Sequence, residues 1–182
     1  MFCMIFFLYY FYKDDNLVII GGRDRTWKRL SNVELIHPSS NNYECELNDL
    51  NVEVTYHSSV LSSSGEIISC GGTNSSTGDN IEWNPFSKCQ TQTSAGKTRY
   101  FPPMKYNRIF FEMAQIDGIL YAIGGWPSYR RIETINIKSG KQWKEEPKMP
   151  FRVWHHCVVT INTNIVVTGG WSHNGTVSKN NV

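Results

Sequence analysis

The sequence predicts an all-β protein built from a repeated four-stranded unit, and three observations support this prediction. A Gly-Gly pair preceded by a short apolar run occurs four times, ending at Gly22, Gly72, Gly125 and Gly170. These pairs are separated by 50, 53 and 45 residues, which suits one four-stranded sheet per repeat. Each pair also follows two apolar stretches joined by a short polar turn, the pattern of a β-hairpin.

The composition is that of an ordinary globular chain. The 182 residues include 18 Lys and Arg against 16 Asp and Glu, and 40% are hydrophobic, so a disordered chain is excluded. A net charge of +2 argues against a dedicated nucleic-acid binder or an electrostatic membrane binder. We expect neither nucleic acid nor membrane as a partner.

The N-terminal apolar run from Phe2 to Tyr12 aligns with the stretches before the third and fourth Gly-Gly pairs. It is too short to span a bilayer, and no positive charge precedes it. We interpret it as the first strand of the first repeat. A signal peptide, which would make the protein secreted, is the alternative.

The hairpin turns consist of residue types that tolerate tight turns. They are Asp14-Asp15-Asn16, Ser64-Gly65, Asp117-Gly118 and Asn162-Thr163-Asn164. After each Gly-Gly pair a polar loop leads to a predicted third strand, at 32–36, 80–83 and 131–137. A fourth strand follows, with terminal positions at Tyr43, Gln90 and Trp143.

The linkers between repeats are also alike. The linker from Pro102 to Arg108 resembles the one from Pro147 to His156, because both place an apolar residue and a proline before an arginine. We expect this arginine to open the next strand.

These motifs together resemble the kelch repeat, which has a Gly-Gly pair, downstream aromatic residues and a Pro-Met linker. The resemblance implies a kelch-type β-propeller fragment of about three complete four-stranded blades plus a leading hairpin of a fourth. The blades would occupy residues 1–50, 51–102, 103–150 and 151–182. Because kelch propellers usually have about six blades, the resemblance also implies a longer protein, and the fragment alone is expected to self-associate.

The repeated residues have predicted structural roles. Glycine at the end of an inner strand permits backbone angles and close approaches that a side chain forbids. This role is predicted for Gly21, Gly22, Gly71, Gly72, Gly124, Gly125, Gly169 and Gly170. Large aromatic rings suit the contact between sheets, and we predict blade packing for Tyr43, Trp83 and Trp143.

Binding is expected in the loops after the Gly-Gly pairs, because these loops vary while the strands repeat. They contain arginine and aromatic residues, the types enriched at binding hot spots. The predicted binding residues are Arg23, Arg25, Trp126, Tyr129, Arg130, Trp171 and His173. The basic first loop favours an acidic peptide as partner, and the opposite rim, with the hairpin turns, is the alternative face.

The sequence indicates no catalytic site. Neither a phosphate-binding glycine loop nor a nucleophile elbow occurs. The best metal candidates are His155, His156, Cys157 and His173. Adjacent residues of a strand point to opposite faces, so we predict no metal and no cofactor.

The five cysteines, Cys3, Cys45, Cys70, Cys89 and Cys157, are far apart and form no CxxC pair. We expect free thiols in a reducing compartment, and therefore a cytoplasmic protein.

The resemblance implies a non-enzymatic protein-protein interaction module. In kelch-like proteins such a propeller recognises substrates for cullin-RING ubiquitin ligases, and in others it binds actin. A fragment of a kelch-type oxidase or sugar isomerase, or a secreted structural module, are the alternatives.

Overall fold

The computed structural model describes residues 12–13, 16–23, 28–36, 43–44, 50, 53–74, 84–93 and 97–172. All regular structure in these residues is β-strand, so the predicted all-β fold is confirmed. No helix long and apolar enough to cross a membrane is present in this described part of the chain.

The strands form successive antiparallel sheets in chain order. The first sheet contains β1 (Tyr12–Lys13), β2 (Asn16–Ile20), β3 (Val33–Ile36) and β4 (Tyr43–Glu44). The second contains β5 (Ser58–Leu61), β6 (Ile67–Cys70), β7 (Cys89–Gln92) and β8 (Thr98–Phe101). The third contains β9 (Glu112–Ile116), β10 (Ile119–Ile123), β11 (Ile132–Asn136) and β12 (Lys144–Glu146). A hairpin of β13 (Cys157–Ile161) and β14 (Asn164–Thr168) follows.

Each sheet lies within one of the four predicted repeat ranges, and we call the sheets blades 1 to 4 in that order. The exact boundaries between repeats stay predictions. The predicted first strand is described only at Tyr12–Lys13, and the apolar run before it lies outside the described residues.

The Gly-Gly pairs join consecutive blades through the backbone. The second glycine of each pair donates its N–H to a carbonyl of the next linker: Gly22 to Val54, Gly72 to Arg108 and Gly125 to Val153, at 2.8–3.1 Å. Val54, Arg108 and Val153 are therefore equivalent positions. The predicted linker alignment, which paired Arg108 with Arg152, is wrong by one residue, and neither arginine opens a strand.

The close approach of a ring explains why glycine is required in these pairs. Gly71 has a φ of +66°, and a Cβ atom built there would lie 2.6 Å from Cε1 of Phe111. At Gly125 a Cβ atom would lie 2.4 Å from Cβ of Phe111. The Phe111 side chain thus lies against the glycine pairs of blades 2 and 3, with its ring next to Gly71 and its Cβ next to Gly125.

The largest hydrophobic cluster fills the contact between blades 2 and 3. It includes Ile68 and Phe101 from blade 2 and Leu120 and Trp143 from blade 3. The Trp143 side chain is 5% exposed and its Nε1–H donates to the Pro102 carbonyl at 2.9 Å. Trp143 therefore packs between blades, whereas Trp83 and the side chain of Tyr43 lie outside the described residues.

The third strand of blade 2 differs from the prediction. Strand β7, Cys89–Gln92, pairs with β6 along its whole length, with Cys70 opposite Cys89. The prediction that residues 80–83 form this strand is wrong, and those residues lie outside the described part of the chain. Gln90 therefore belongs to the third strand and does not take the position of Trp143.

The expectation of free thiols is also wrong for two cysteines. Cys70 and Cys89 form a disulfide between neighbouring strands, while Cys157 is free and exposed. Cys3 and Cys45 lie outside the described residues. The cysteines therefore no longer argue for a reducing compartment, and a cytoplasmic location stays a prediction.

Candidate functional site

One end of the blades carries the loops that follow the Gly-Gly pairs, and we call this end the rim. The first loop residue of a blade forms a β-bridge to the linker that enters the same blade. The bridges join Thr55 to Thr73, Ile109 to Trp126 and Trp154 to Trp171. The linker residues and the loop residues of three blades are thus brought to the same end.

Three residues directly after the bridged linker positions form an inner row on the rim: Tyr56, Phe110 and His155. All three have positive φ, at 60°, 55° and 54°. The Phe110 N–H donates to the Tyr56 carbonyl at 3.2 Å, and the His155 N–H donates to the Phe110 carbonyl at 2.9 Å. Such φ values are uncommon for bulky residues, and their repetition indicates a backbone held in place by neighbouring blades.

The side chains of the inner row form a continuous stack. The ring centroids of Tyr56 and Phe110 are 4.4 Å apart, and those of Phe110 and His155 are 3.8 Å apart. The Arg23 guanidinium lies 5.4 Å from the Tyr56 ring centroid. The largely buried Arg23 and three rings from consecutive repeats are therefore in contact with one another, each with the next.

Partial burial lowers the pKa of His155. Its imidazole is therefore neutral near pH 7 and stacks on Phe110 as an uncharged ring. The positive charge of this part of the rim comes from arginine.

The predicted binding residues differ in how far their side chains are exposed at the rim. Trp171 is 54% exposed and Trp126 is half-buried, so both present aromatic surface at the rim. Arg23 is only 5% exposed, and its guanidinium lies over the Tyr56 ring. Arg25 and His173 lie outside the described residues.

Tyr129 and Arg130 contact the next linker. The Tyr129 ring is T-shaped against Trp154 at 5.2 Å, and the Arg152 guanidinium lies 5.6 Å from the Tyr129 centroid. Arg130 Nε donates to the Met149 carbonyl at 2.6 Å. These two residues therefore support the position of the linker as well as contributing to the rim.

The inner row was not predicted from the sequence. Tyr56, Phe110 and His155 have different side chains and lie in the linkers, outside the loops in which binding was expected. The available signal was positional: each is the second residue after an equivalent linker position, Val54, Arg108 or Val153. Detecting this needs the correct linker alignment, which the two arginines obscured.

Among the described residues, no group of three or more His, Cys, Asp and Glu side chains could hold a metal ion. His155 is exposed on the rim and His156 is buried below it, so the two adjacent imidazoles point to different environments.

An apolar groove lies away from the rim, between blade 3 and the β13–β14 hairpin. Its volume is about 940 Å³, and its walls include Tyr121, Ile132, Phe151 and Ile165. Ile123 and Met149, which belong to a buried cluster with Val153, also line the groove. Residues Ile165 to Val167 of β14 form part of its wall, and among the described strands β14 pairs with β13 alone.

Two known proteins are similar to the chain in sequence. The kelch repeat and BTB domain-containing protein 2 of Ectromelia virus (strain Moscow) is 28% identical over 148 residues, 77% of this chain. Kelch-like protein 26 of Danio rerio is 28% identical over 71 residues, 38% of this chain. No protein-family model matches the chain.

The matched regions span 25% of the viral relative and 12% of the zebrafish relative. The likeness to the viral protein covers most of this chain, in which each four-stranded antiparallel sheet carries a Gly-Gly pair between its second and third strands. The chain is therefore similar to kelch-repeat proteins, and its sheets have the all-β architecture of a kelch-type β-propeller fragment.

Proposed function

We propose that this chain is a non-enzymatic protein-interaction module that binds its partner at the rim. The observation that carries the proposal is the inner row of Tyr56, Phe110 and His155, continued by Arg23. Three repeats contribute one side chain each to a continuous surface, which a single loop could not form. Trp171, 54% exposed beside this row, supplies an aromatic anchor of the kind found at hot spots.

The charge of the rim favours an acidic segment in the partner. Arg130 and Arg152 are exposed at the rim, and Arg23 lies beneath it. Arginine binds carboxylates through a planar fork of donors, and the rings beside it would pack against apolar residues of the same segment. The proposed ligand is therefore an acidic peptide segment with at least one apolar side chain.

The name of the viral relative combines kelch repeats with a BTB domain. This combination supports a finer proposal, in which the bound protein is a substrate presented to a cullin-RING ubiquitin ligase. Actin-binding is the other role associated with the family, and actin among the captured proteins would favour it.

The test compares two exposed aromatic residues. Trp171→Ala removes the ring at the rim, and the control Tyr100→Ala removes a ring that is 79% exposed on β8. Proteins captured from cell extract by the full chain would be quantified for both variants. We expect Trp171→Ala to weaken capture by about 30-fold, the equivalent of a 2 kcal/mol hot spot, while Tyr100→Ala has no effect.

Matched charge reversals test the acidic ligand. Arg152→Glu should weaken capture of the same proteins, whereas Lys97→Glu, in the turn before β8, should not. Equal losses in both variants would show that only net charge matters. Loss of capture in Tyr100→Ala alone would show that the rim is not the binding face.

A further inference from the structure

Directly below the inner row, three buried side chains occupy equivalent positions: His57, Phe111 and His156. Their exposed fractions are 1%, 0% and 3%. Each follows an inner-row residue in sequence, so the buried set and the row share one stretch of backbone. Two of the three positions therefore hold a titratable ring where the third holds phenylalanine.

The two histidines are confined by the same glycine pairs that confine Phe111. A Cβ atom at Gly21 would lie 3.2 Å from Cε1 of His57, and one at Gly72 would lie 3.0 Å from its Cβ. For His156 the corresponding distances are 3.0 Å from Gly124 and 2.8 Å from Gly170. Each imidazole therefore lies in the contact between two successive blades, almost fully buried.

The charged groups facing His57 are mostly cations. Lys88 and Arg99 line the same cavity of about 390 Å³. On the neighbouring strand β9, the Glu112 carboxylate accepts a hydrogen bond from the Ser58 hydroxyl, next to His57. Both cations are exposed, so it is burial that disfavours a proton on His57, and the Glu112 carboxylate is already bonded to Ser58.

His156 faces a cation as well. Arg108 lies close enough to disfavour a second positive charge, and His155 acts in the same direction. The carboxylate in this region, Glu133, is bonded to Arg108 at 2.9 Å and accepts the Lys105 N–H at 2.6 Å. A hydrogen bond with the Ile123 backbone raises the pKa of His156 and so offsets part of the effect of these two groups.

Burial lowers the pKa of His57 to about 4. Burial, followed by Arg108, lowers the pKa of His156 to about 4. When two blades separate, water reaches the imidazole and its pKa returns toward the ordinary value of about 6.5. The separated state therefore binds more protons than the packed state in the interval between these values.

We propose that acid opens the blade contacts beneath the inner row, through protonation of His57 and His156, and thereby releases the protein bound at the rim. This inference rests on the proposed function of the rim. The His57 contact, between blades 1 and 2, carries the hydrogen bond from the Gly22 N–H to the Val54 carbonyl, and the His156 contact, between blades 3 and 4, carries the one from the His155 N–H to the Phe110 carbonyl. Separation at these two contacts breaks these bonds and divides the binding surface, because it parts Arg23 from Tyr56 and His155 from Phe110.

The difference in proton binding between the packed and separated states sets the direction and the size of the change in blade packing. The separated state gains protons as the pH falls from 6.5 toward 4, so packing weakens in that interval. Between pH 7.5 and pH 5, opening of each of the two contacts should become more favourable by roughly 30-fold, since each contact holds one histidine. Below pH 4 both states are protonated and no further change is expected from these groups.

The first experiment measures hydrogen exchange at the amides of Gly22 and His155 in the full chain, corrected for the intrinsic pH dependence of exchange. We expect the protection of each amide to fall by about 30-fold between pH 7.5 and pH 5. In His57→Phe/His156→Phe, which repeats the residue at position 111, protection should stay constant. His57→Gln/His156→Gln is a second neutral pair in case the larger rings disturb folding.

Constant protection in the unmodified chain would overturn the proposal. An equal fall in both neutral double variants would overturn it as well, because the responsible group would then be another, such as Glu112.

The second experiment measures release of the proteins that are captured at pH 7.5 in a Trp171-dependent manner. We expect release at pH 5 from the unmodified chain and retention by the neutral double variant. Equal release from both would overturn the regulatory inference and leave the binding function intact. If Trp171→Ala captures as much as the unmodified chain at pH 7.5, the proposed function itself has failed, and with it the inference.

Discussion

Arg108 is a buried charge at a position where the equivalent residues are apolar. Val54 and Val153 are 3% and 0% exposed, and Arg108 is 0% exposed. The Arg108 side chain donates to the Glu133 carboxylate and to the carbonyls of Gly124 and Arg131. The Arg108 side chain thereby links the linker between blades 2 and 3 to β11. Its hydrogen bonds within the protein replace the hydrogen bonds to water that burial removes.

We expect Arg108→Met to lower the free energy of unfolding by about 3–5 kcal/mol, because it leaves the Glu133 carboxylate buried without its cation. Arg108→Met/Glu133→Leu should recover most of this loss, since no buried charge remains. Chemical denaturation of the four proteins of this cycle measures both values. A double variant that is as unstable as the single would show that the bonds to Gly124 and Arg131 dominate.

The sequence could predict residues whose chemistry repeats, and it could not predict residues that repeat only in position. The glycine pairs could be predicted because the same doublet repeats, and all eight glycines have the positive φ that favours this residue. Arg108 was aligned with Arg152 because both are arginines, although the structure pairs Arg108 with Val153. The inner row was missed for the same reason, since tyrosine, phenylalanine and histidine show no common pattern.

At the level of elements, the register of the two strands before each Gly-Gly pair is set by a short hairpin turn. The start of the strand after each pair depends on a loop whose length differs between blades. Seven positions separate Gly125 from the start of β11, and seventeen separate Gly72 from the start of β7. A hairpin turn of two or three residues leaves little freedom in register. A long loop leaves the start of the next strand open, which explains why β7 was predicted too early.

The loss of stability that a new side chain causes at a Gly-Gly pair can be measured separately from the loss that positive φ alone causes. Gly71 and Gly118 have φ values of +66° and +75°, but only Gly71 has neighbours that a Cβ atom would meet. Gly118→Ala should therefore lower stability by about 1–2 kcal/mol, from the backbone alone. Gly71→Ala should cost a further 1–3 kcal/mol or so, because the Phe111 ring must move.

Thermal unfolding of both variants tests this difference. Equal losses of stability in Gly71→Ala and Gly118→Ala would show that the contact with Phe111 is unimportant.

For the whole molecule, the described surface includes apolar residues that β-proteins usually cover. Val159 and Ile161 on β13 are 47% and 54% exposed. On the other side of the same hairpin lies the apolar groove beside blade 3. Exposed strands of this kind favour association between molecules.

We therefore expect the chain to self-associate with increasing concentration, as measured by light scattering. Val159→Lys/Ile161→Lys should shift association to about tenfold higher concentration, because the two charges oppose contact between apolar strands. Thr160→Lys, on the same exposed strand, is the control for added charge. A chain that stays monomeric without these changes would contradict the prediction.

The position of Phe111 between two glycine pairs has a consequence for how such a chain can change in length. One half of the ring's pocket comes from its own repeat and the other half from the repeat before it. His57 and His156 are held in the same manner. A segment running from one of these rings to the next can therefore be duplicated or removed as a block, and every junction still joins a ring to two glycine pairs. Insertions that begin or end elsewhere would divide a pocket, so length variation should concentrate in the loops that touch neither glycines nor rings.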